Sequence, residues 1–415
     1  MRIHKYSVHL FLIALGIVLY FFANMQRVAV PGAVFGLLQQ KLSAEAPAIT
    51  ALGASFMYVY AISQIFMGRI VERYGGLRMI AFGALFFSLG SLAFPYTHSM
   101  PLLYLSRACM GLGAGCFYLS LVRELERCIS DRNFGIVLSA TIFIGYSGAF
   151  AANGPFVWLI GRFGLMQTLV GIAAIILAAS VVFIAVGSQF NLTMIKTDRH
   201  IDFPSYKQVI CSKSNLILFT YASLNYALMY VLQTVIGKKF LEDFCLFSSS
   251  GASWLLSAMS IISAFSSMGL AFISRQCGGK KAFLFRISAV VSVLDFVFIV
   301  LTLITGVRIN FLMCLAFCSL ASMTAMSPLL VIAINETNHH SVCVTAAGIL
   351  NAMFFLTVGI FGNMTGLMMN IFPPESINGI LVYGRNSYLA VFIPLLAFSL
   401  AELCFAMRIR EGRKA

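Results

Sequence analysis

Two arginines lie inside stretches of sequence that are otherwise apolar. Arg27 follows an aromatic-rich run at 20–26, and Arg107 opens a glycine-rich run at 107–115. An ionised side chain at bilayer depth is costly, so its default interpretation is functional. A guanidinium can bind a carboxylate or a phosphate through two parallel hydrogen bonds. Arg27 is therefore predicted to bind an anionic substrate. The alternative is an arginine that reaches the membrane surface or pairs with a neighbouring side chain.

Arg107 is predicted to contribute to the same substrate site. A buried arginine cannot readily lose its proton, but it can attract an anion or shift the pKa of a nearby group. The alternative is a packing residue bonded to backbone carbonyls. Two carboxylates in apolar stretches, Asp295 and Glu336, are candidates for a proton or charge relay.

Uncharged polar side chains in the apolar stretches could supply the rest of a site. Such groups orient ligands in pockets that are otherwise apolar, and hydrogen bonds between helices are the alternative explanation. Tyr60 and Gln64 are four residues apart and share a helix face, as do Tyr221 and Asn225; Tyr226 follows directly after Asn225. The predicted substrate-binding residues of this kind are Tyr58, Gln64, Tyr118, Asn153, Tyr221, Asn225, Gln233 and Asn351.

Twelve long apolar stretches must position these residues. Sixty per cent of the chain is hydrophobic and 10 per cent is charged, whereas soluble domains carry about 25 per cent charge. A helix needs roughly 20 apolar residues to cross a bilayer. The predicted spans are 8–37, 48–71, 77–97, 100–127, 134–161, 164–188, 215–240, 249–274, 281–305, 309–335, 341–371 and 384–408. About ten residues of span 1 follow Arg27, or roughly 15 Å, which puts Arg27 near mid-membrane.

The net charge of +14 is distributed in a way that sets an orientation. Of the 28 Lys and Arg residues, 20 fall in segments on the side of the N-terminus and 6 in segments on the other side. Arg27 and Arg107 are the remaining two. This asymmetry predicts cytoplasmic termini in a multi-pass protein of the cell (inner) membrane. Contact with anionic lipid explains the charge, and a nucleic-acid partner is not expected.

Other functional classes leave no signature in the sequence. The ten cysteines form no disulfide framework or metal motif, and neither a phosphate-binding loop nor a catalytic nucleophile motif is present. We therefore expect no metal, no cofactor and no enzymatic activity. A monomer is expected.

The central loop 189–214 divides the chain into an N-terminal unit, 1–188, and a C-terminal unit, 215–415, of six spans each. The loops after spans 2 and 8 match: each has a basic residue, a Gly-Gly pair and another basic residue. The pairs Gly75-Gly76 and Gly278-Gly279 occupy the same place in each unit, which indicates an internal repeat.

The first of these loops resembles the signature of the major facilitator superfamily, Gly-x-x-x-Asp-Arg-x-Gly-x-Arg/Lys. Gly68, Arg73, Gly75 and Arg78 match, and Glu72 stands where Asp is usual. The run 107–115 is similar to the superfamily's Arg-x-x-x-Gly-x-Gly element, and 148–155 is a loose version of its Gly-Pro element. The resemblance implies an all-α membrane protein with two pseudo-symmetric six-helix bundles. It also implies that Gly68, Glu72, Arg73, Gly75 and Arg78 form a conformational latch.

The superfamily layout puts spans 3, 6, 9 and 12 at the periphery. A hydroxyl or arginine partner is therefore expected for Asp295 rather than a relay role, and Glu402 is expected to pair with Arg408 or a lipid head group. The other spans have no carboxylate or histidine at mid-membrane depth, which favours an anionic substrate and facilitated diffusion or exchange over proton symport.

The resemblance implies a secondary or facilitative transporter of a small solute, which works by alternating access. The leading prediction is an organic anion or metabolite. A proton-coupled exporter of amphipathic compounds is one alternative, and a transporter-like membrane sensor is another.

Overall fold

The computed structural model describes residues 2–189, 206–276, 280–377 and 380–410. Twelve of its helical segments are long and apolar enough to cross a membrane. Most ends fall within a few residues of the predicted boundaries, because the apolar length of a span is a local property of the sequence. Most of the central loop and the pair Gly278-Gly279 lie outside the described residues.

Spans 1 to 6 form the N half. Three of these spans contain two helices each. In chain order the helices are Arg2–Ala29 and Phe35–Leu42 (span 1), Ala46–Tyr74 (span 2), Gly76–Tyr96 (span 3), Met100–Gly115 and Phe117–Cys128 (span 4), Asp131–Ala151 and Gly154–Phe163 (span 5), and Leu165–Gln189 (span 6).

Spans 7 to 12 form the C half. A short helix, Tyr206–Ile210, precedes them, and a small β-hairpin lies between spans 11 and 12. The helices are Lys213–Val231 and Gly237–Asp243 (span 7), Ser249–Gln276 (span 8), Ala282–Thr305 (span 9), Asn310–Met323 and Ser327–Thr337 (span 10), His340–Met369 (span 11), and Arg385–Arg408 (span 12); the strands are β1, Glu375–Ile377, and β2, Ile380–Val382.

The interruption of span 1 was not predicted. The first helix stops at Ala29, Pro31 follows, and a 3-10 turn at Gly32–Val34 leads into the second helix. Proline has no N–H to donate and its ring clashes with the preceding turn, so it ends a helix. Span 1 therefore crosses as two helices joined by a tight turn, whereas one helix over 8–37 was expected.

Span 7 contains a π-helical turn at Leu232–Ile236. Turns of this kind are rare and frequently lie at functional sites. The backbone of Thr234, inside this turn, packs against Gly32 of span 1. A Cβ added at Gly32 would lie 2.6 Å from the carbonyl carbon of Thr234, so only glycine allows the two backbones to approach this closely.

An even number of spans leaves both termini on one side of the membrane, which we name the terminus side. The opposite side, where span 1 ends and span 2 begins, is named the far side. The two halves meet along spans 2 and 11 and along spans 5 and 8. From mid-membrane to the far side, the halves are joined by hydrogen bonds that include Gln64–Asn351 (3.0 Å), Tyr58–Asn363 (2.9 Å), Glu45–Asn370 (2.8 Å) and Gln39–Tyr383 (2.8 Å). This state is closed on the far side.

The far-side closure is anchored to a buried ion pair in the C half. Lys239 Nζ lies 2.8 Å from Asp243 Oδ1, and Asp243 Oδ2 accepts hydrogen bonds from the Tyr383 N–H and the Tyr388 hydroxyl. Burial raises the pKa of Tyr383, whose hydroxyl accepts the bond from Gln39 of the N half. The predicted span 7 ends at residue 240. In the structure this span continues to Asp243, one helical turn beyond Lys239, and both groups of the ion pair are buried.

Candidate functional site

Arg27 is enclosed by aromatic rings from both halves. Its Cζ lies 4.8 Å from the ring centroid of Phe355, 5.6 Å from that of Tyr60 and 5.8 Å from that of Tyr230. Tyr60 belongs to the N half, and the other two rings belong to the C half. Arg27 is 5 per cent exposed. Contacts of this kind hold a cation by the negative face of each ring and contribute about 2 kcal/mol or more when desolvated.

The depth of this cluster follows from the three rings. Tyr60, Tyr230 and Phe355 lie near the midpoints of spans 2, 7 and 11. Arg27 is close to the end of the first helix of span 1, but the 3-10 turn and the second helix carry the chain onward to the far side. The predicted mid-membrane depth of Arg27 therefore agrees with the structure, although the predicted helix was wrong.

The hydrogen-bonding capacity of Arg27 is only partly used. One terminal nitrogen donates to Asn24 Oδ1 at 2.6 Å, and Nε is buried without a partner. Within the described ranges, no carboxylate lies at ion-pair distance from this guanidinium. A buried cation usually has a paired anion. The geometry thus leaves a charge and at least one donor available to a ligand between the two halves.

Further aromatic rings extend the cluster into the C half. Tyr226 stacks on Tyr230, with 5.0 Å between ring centroids, and on Phe354, with 4.9 Å. On the N-half side, Tyr20 precedes Arg27 by seven residues and shares its helix face. The ring centroid of Tyr20 lies 5.8 Å from that of the predicted site residue Tyr118. These rings offer apolar faces, and the tyrosines among them add hydroxyl groups, a combination that suits an organic molecule better than an inorganic ion.

Arg107 has a different environment. It is fully buried in the N half, where it donates to three backbone carbonyls: Leu52 at 3.1 Å, Gln26 at 3.0 Å and Val30 at 3.0 Å. Its Cζ also lies 4.8 Å from the Phe56 ring. These carbonyls belong to spans 1 and 2, so Arg107 ties both spans to span 4. The geometry supports the packing alternative, and a role in substrate binding stays a prediction.

The polar residues predicted on spans 2 and 11 lie at the contact between the halves. Gln64 donates to the Gly115 carbonyl at 3.1 Å and accepts from Asn351 at 3.0 Å. The Tyr58 hydroxyl accepts from Asn363 at 2.9 Å. In this state their polar atoms bond to protein groups, and they border the Arg27 cluster rather than line it.

Tyr221 and Asn225 lie on the side of span 7 that faces away from Arg27. Asn225 donates to Ser288 of span 9 at 2.9 Å and to Glu402 of span 12 at 2.8 Å, and the Tyr221 ring packs on Phe285. The predicted pairing of Glu402 with Arg408 or a lipid head group was wrong. Glu402 points into the C half and is fully buried, because its helix face is the one that packs on spans 7 and 9.

Three other predicted residues lie in separate places. Gln233 donates to Ser260 of span 8 at 2.7 Å. Asn153 is buried at the break in span 5, and its amide is 3.4 Å from the Ala149 carbonyl. Tyr118 is half-buried in span 4. The structure does not bring Gln233 or Asn153 into contact with Arg27.

The two relay candidates have local partners. Asp295 accepts a hydrogen bond from Ser319 at 2.6 Å, the kind of hydroxyl partner that was expected. Glu336 forms an ion pair with Lys281 at 2.8 Å, at the terminus side of the C half. Neither carboxylate contacts the Arg27 cluster.

The predicted latch lies in the tight loop between spans 2 and 3. Gly75 has a φ of 84°, which favours glycine. A Cβ at Gly76 would lie 2.5 Å from the Ser120 carbonyl, so this loop packs directly on span 4. Glu72 is exposed, and within the part of the chain that the structure describes it makes no ion pair. Arg73 packs over the Tyr74 ring at 5.4 Å.

Sequence reasoning missed the residue that anchors this loop, Glu124. It is fully buried, accepts the Leu77 N–H at 3.2 Å, and lies 2.9 Å from His9 Nε2 and 3.5 Å from Arg127. A carboxylate is favourable at the first turn of a helix because the backbone N–H groups there point toward it. An available signal was its position three residues before Arg127, at the end of the predicted span 4.

The fold and the site define a multi-pass membrane transporter made of two helical halves with a polar centre. The chain belongs to the Major Facilitator Superfamily, whose family model matches residues 15–362. The family implies a small-molecule substrate and a lipid environment. The predicted fold class, twelve transmembrane helices in two six-helix bundles, is confirmed.

Solved structures with this fold cover nearly the whole chain. The nucleoside transporter NupG, crystallised as a point mutant, has a TM-score of 0.73 at 15% identity and covers 97% of this chain and 100% of its own. A bacterial homolog of the human lysosomal transporter Spinster, inward-facing and unoccupied, has a TM-score of 0.74 at 13% identity and covers 98% and 99%. These similarities show the fold alone.

The curated relatives match over a short region. The probable anion transporter 3, chloroplastic, of Arabidopsis thaliana is 34% identical over 106 residues, which is 25% of this chain and 20% of that protein. The protein of the same name from Oryza sativa subsp. japonica is 31% identical over 140 residues, 29% of this chain and 26% of its own. The matches thus span about a fifth to a quarter of these relatives.

Proposed function

We propose that this protein transports a small organic anion, and that Arg27 binds the anionic group. One observation carries the proposal: Arg27 is buried at mid-membrane, between the halves, without a carboxylate partner among the described residues and with an unpartnered Nε. A carboxylate or phosphate monoester can take two hydrogen bonds from such a guanidinium. The names of the two plant relatives, probable anion transporters, agree with this substrate class.

Alternating access follows from the position of Arg27 between the halves. Rocking of the N-terminal unit (1–188) against the C-terminal unit (215–415) would separate Arg27 and Tyr60 from Tyr230 and Phe355, and expose the anion to one side at a time. The far-side hydrogen bonds close one gate. The loop with Gly68, Glu72, Arg73, Gly75 and Arg78 would engage when the terminus side is shut, which agrees with the absence of an ion pair at Glu72 within the described residues of this far-side-closed state.

Facilitated diffusion or exchange is the mode that the charge distribution favours. A proton-coupled carrier normally needs a titratable group in the substrate path. Asp295 is bonded to Ser319 and Glu336 is paired with Lys281, so we assign neither to the path. The transporter would then alternate between an anion-bound and an anion-free form that differ in no other bound ion, and the anion gradient would drive the net flux.

We also propose an orientation in the membrane and an oligomeric state. The excess of Lys and Arg on the terminus side supports cytoplasmic termini in the cell (inner) membrane. We propose a monomer as the transporting unit, because each chain holds both halves and the complete Arg27 cluster.

A second candidate is an exporter of amphipathic compounds, and the aromatic lining favours it. Tyr226, Tyr230, Phe354 and Phe355 present adjacent ring faces that could pack against a flat apolar molecule. In that case the Arg27 charge would serve to hold the rings together. A transporter-like sensor would bind the same ligands and move none of them.

The test is a thermal-stability screen of purified protein with small metabolites, run beside Arg27→Gln. A ligand that binds only the folded state stabilises by about 2.7 kcal/mol at 100 times its Kd. We expect carboxylates or phosphate esters to stabilise the wild type and not Arg27→Gln, and the same compounds to enter liposomes. Arg162→Gln, which removes a charge from the far-side end of span 5, is the control and should behave as wild type.

Stabilisation of both proteins by neutral or cationic amphipathic compounds, with no response to anions, would contradict the anion proposal and support the exporter. Anion binding without liposome flux in either direction would support the sensor.

A further inference from the structure

A groove of about 690 Å³ runs along the outside of the N half, between spans 2, 3 and 4. Span 2 forms one wall, with Val59, Ile62, Phe66 and Ile70 among its residues. Their spacing of three and four places them on one helix face. Ile62 is 56 per cent exposed and Phe66 is 52 per cent exposed. This face turns away from Gln64, which bonds to Asn351 of the C half, so the groove faces the lipid.

The floor and the second wall are also apolar. Leu112 of span 4 lies at the floor, and Met79 and Phe82 of span 3 form the other wall. Among the described residues that line the groove, Ser63 has the hydroxyl that lies away from the membrane surface; it donates to the Tyr60 carbonyl at 2.7 Å, so it needs no partner from a ligand. An apolar chain is the occupant that such a lining accepts.

The length of the groove matches one leaflet of a bilayer. Fifteen residues separate Val59 from Tyr74 along span 2, which is roughly 22 Å of helix. One leaflet, its head-group region included, is roughly 20–22 Å thick. A lipid of the terminus-side leaflet could therefore lie along the groove over its whole length, with its acyl chain toward Val59 and its head group near Tyr74.

Arg78 is placed at this end of the groove. It is half-buried, in the first turn of span 3, at the level where lipid head groups lie. Its guanidinium forms no hydrogen bond or ion pair to any residue within the described ranges. A half-buried arginine without an anion is suited to a phosphate, to which it can donate two parallel hydrogen bonds.

We propose that the groove binds an anionic phospholipid, with one acyl chain along span 2 and its phosphate at Arg78. The apolar lining and Arg78, the one charged residue that lines the groove, together select a molecule that has both parts. A free phosphate would use only Arg78, and a neutral hydrocarbon would use only the groove.

Native mass spectrometry of the whole protein, released from nanodiscs that contain equal amounts of phosphatidylglycerol and phosphatidylcholine with the same chains, tests the proposal. We expect wild type to retain phosphatidylglycerol preferentially. One basic residue near the surface contributes about 1 kcal/mol, so Arg78→Gln should lower this preference about fivefold, and Arg78→Lys should restore most of it. Arg132→Gln removes an exposed charge on the same side of the same half and should retain the wild-type preference.

The contact between the acyl chain and the groove is tested separately. Ile62→Trp fills the groove from an exposed position that does not disturb the fold, and it should reduce the retention of both lipids. Soluble glycerol phosphate should not stabilise Arg27→Gln, in which the proposed substrate site is removed and Arg78 is intact. An unchanged preference in Arg78→Gln, unchanged retention in Ile62→Trp, or stabilisation of Arg27→Gln by glycerol phosphate equal to that by the lipid would each overturn the proposal.

Discussion

Arg27 and Arg107 are the same residue type, buried in the same half of the molecule, and their surroundings are opposite. Arg107 donates to three backbone carbonyls of spans 1 and 2, whereas Arg27 donates to the Asn24 side chain, has the Tyr230 hydroxyl within reach, and is surrounded by three aromatic rings. The carbonyls cannot leave Arg107, because they belong to the helices that it joins. The rings can leave Arg27, because two of them belong to the other half. Burial alone therefore does not identify a ligand-binding arginine; the partners do.

The largest effect is expected from Arg107→Met. It removes donors from three buried carbonyls, and each unsatisfied group costs about 1–3 kcal/mol. We expect little folded protein, and loss of transport through loss of the fold. Thermal denaturation and size-exclusion chromatography of detergent-purified protein will measure this. A variant that stays folded and loses only transport would reverse our assignment of Arg107 as a packing residue.

Arg27→Lys should have the next largest effect, and it should act on transport alone. Lysine keeps the positive charge but cannot present two parallel hydrogen bonds to a carboxylate or phosphate. We expect anion flux to fall by about tenfold or more, in line with one lost charge-assisted hydrogen bond, at wild-type thermal stability. Flux into liposomes at several anion concentrations gives the measurement. Wild-type flux in this variant would mean that charge alone matters at this position.

Phe355→Leu should have different effects on the protein with and without an anion bound at Arg27. A desolvated contact between a cation and a ring contributes about 2 kcal/mol, so this variant should lose stability of that order when no ligand is bound. An anion that occupies Arg27 replaces part of the ring contact, and the loss should be smaller with the anion present. Thermal unfolding with and without the anion identified in the screen tests this. An equal loss in both conditions would mean that the ring packs independently of the ligand.

The smallest effect is expected from the neutral contact that borders the cluster, Gln64 with Asn351. A typical hydrogen bond contributes about 1 kcal/mol, so Gln64→Leu and Asn351→Leu should each shift the balance toward the far-side-open state by about fivefold. A double-mutant cycle isolates the pair. It is read by the accessibility of a cysteine introduced at Gly36, where an added Cβ would lie 4.0 Å from Ile380 of the C half. Additive shifts would show that the two side chains do not act together.

The positions of the membrane spans follow from the sequence more directly than the directions of the side chains. The twelve spans were predictable because apolar length is local to each span, and the depth of Arg27 followed from counting residues along span 1. The break at Pro31 is less evident, because the proline lies inside a long apolar run that by itself predicts one continuous helix.

Side-chain direction was much harder to predict, because it depends on how helices pack. Asn225 and Tyr226 are neighbours in span 7, yet one bonds to Glu402 in the C half and the other stacks within the aromatic cluster. Nothing in span 7 alone distinguishes its two polar faces. Glu124 illustrates the same difficulty, since its partners come from spans 1 and 3 as well as from its own helix.

The groups that join the halves on the far side have a consequence for the medium in which the protein works. Apart from Glu45, they are amides, two phenols and the hydroxyl of Ser257, while the ion pairs of Glu124, Lys239 and Lys281 each lie within one half. Dissolved salt screens charges and leaves contacts between neutral groups almost unchanged. The opening and closing of this gate should therefore proceed at nearly the same rate in dilute and in saline surroundings.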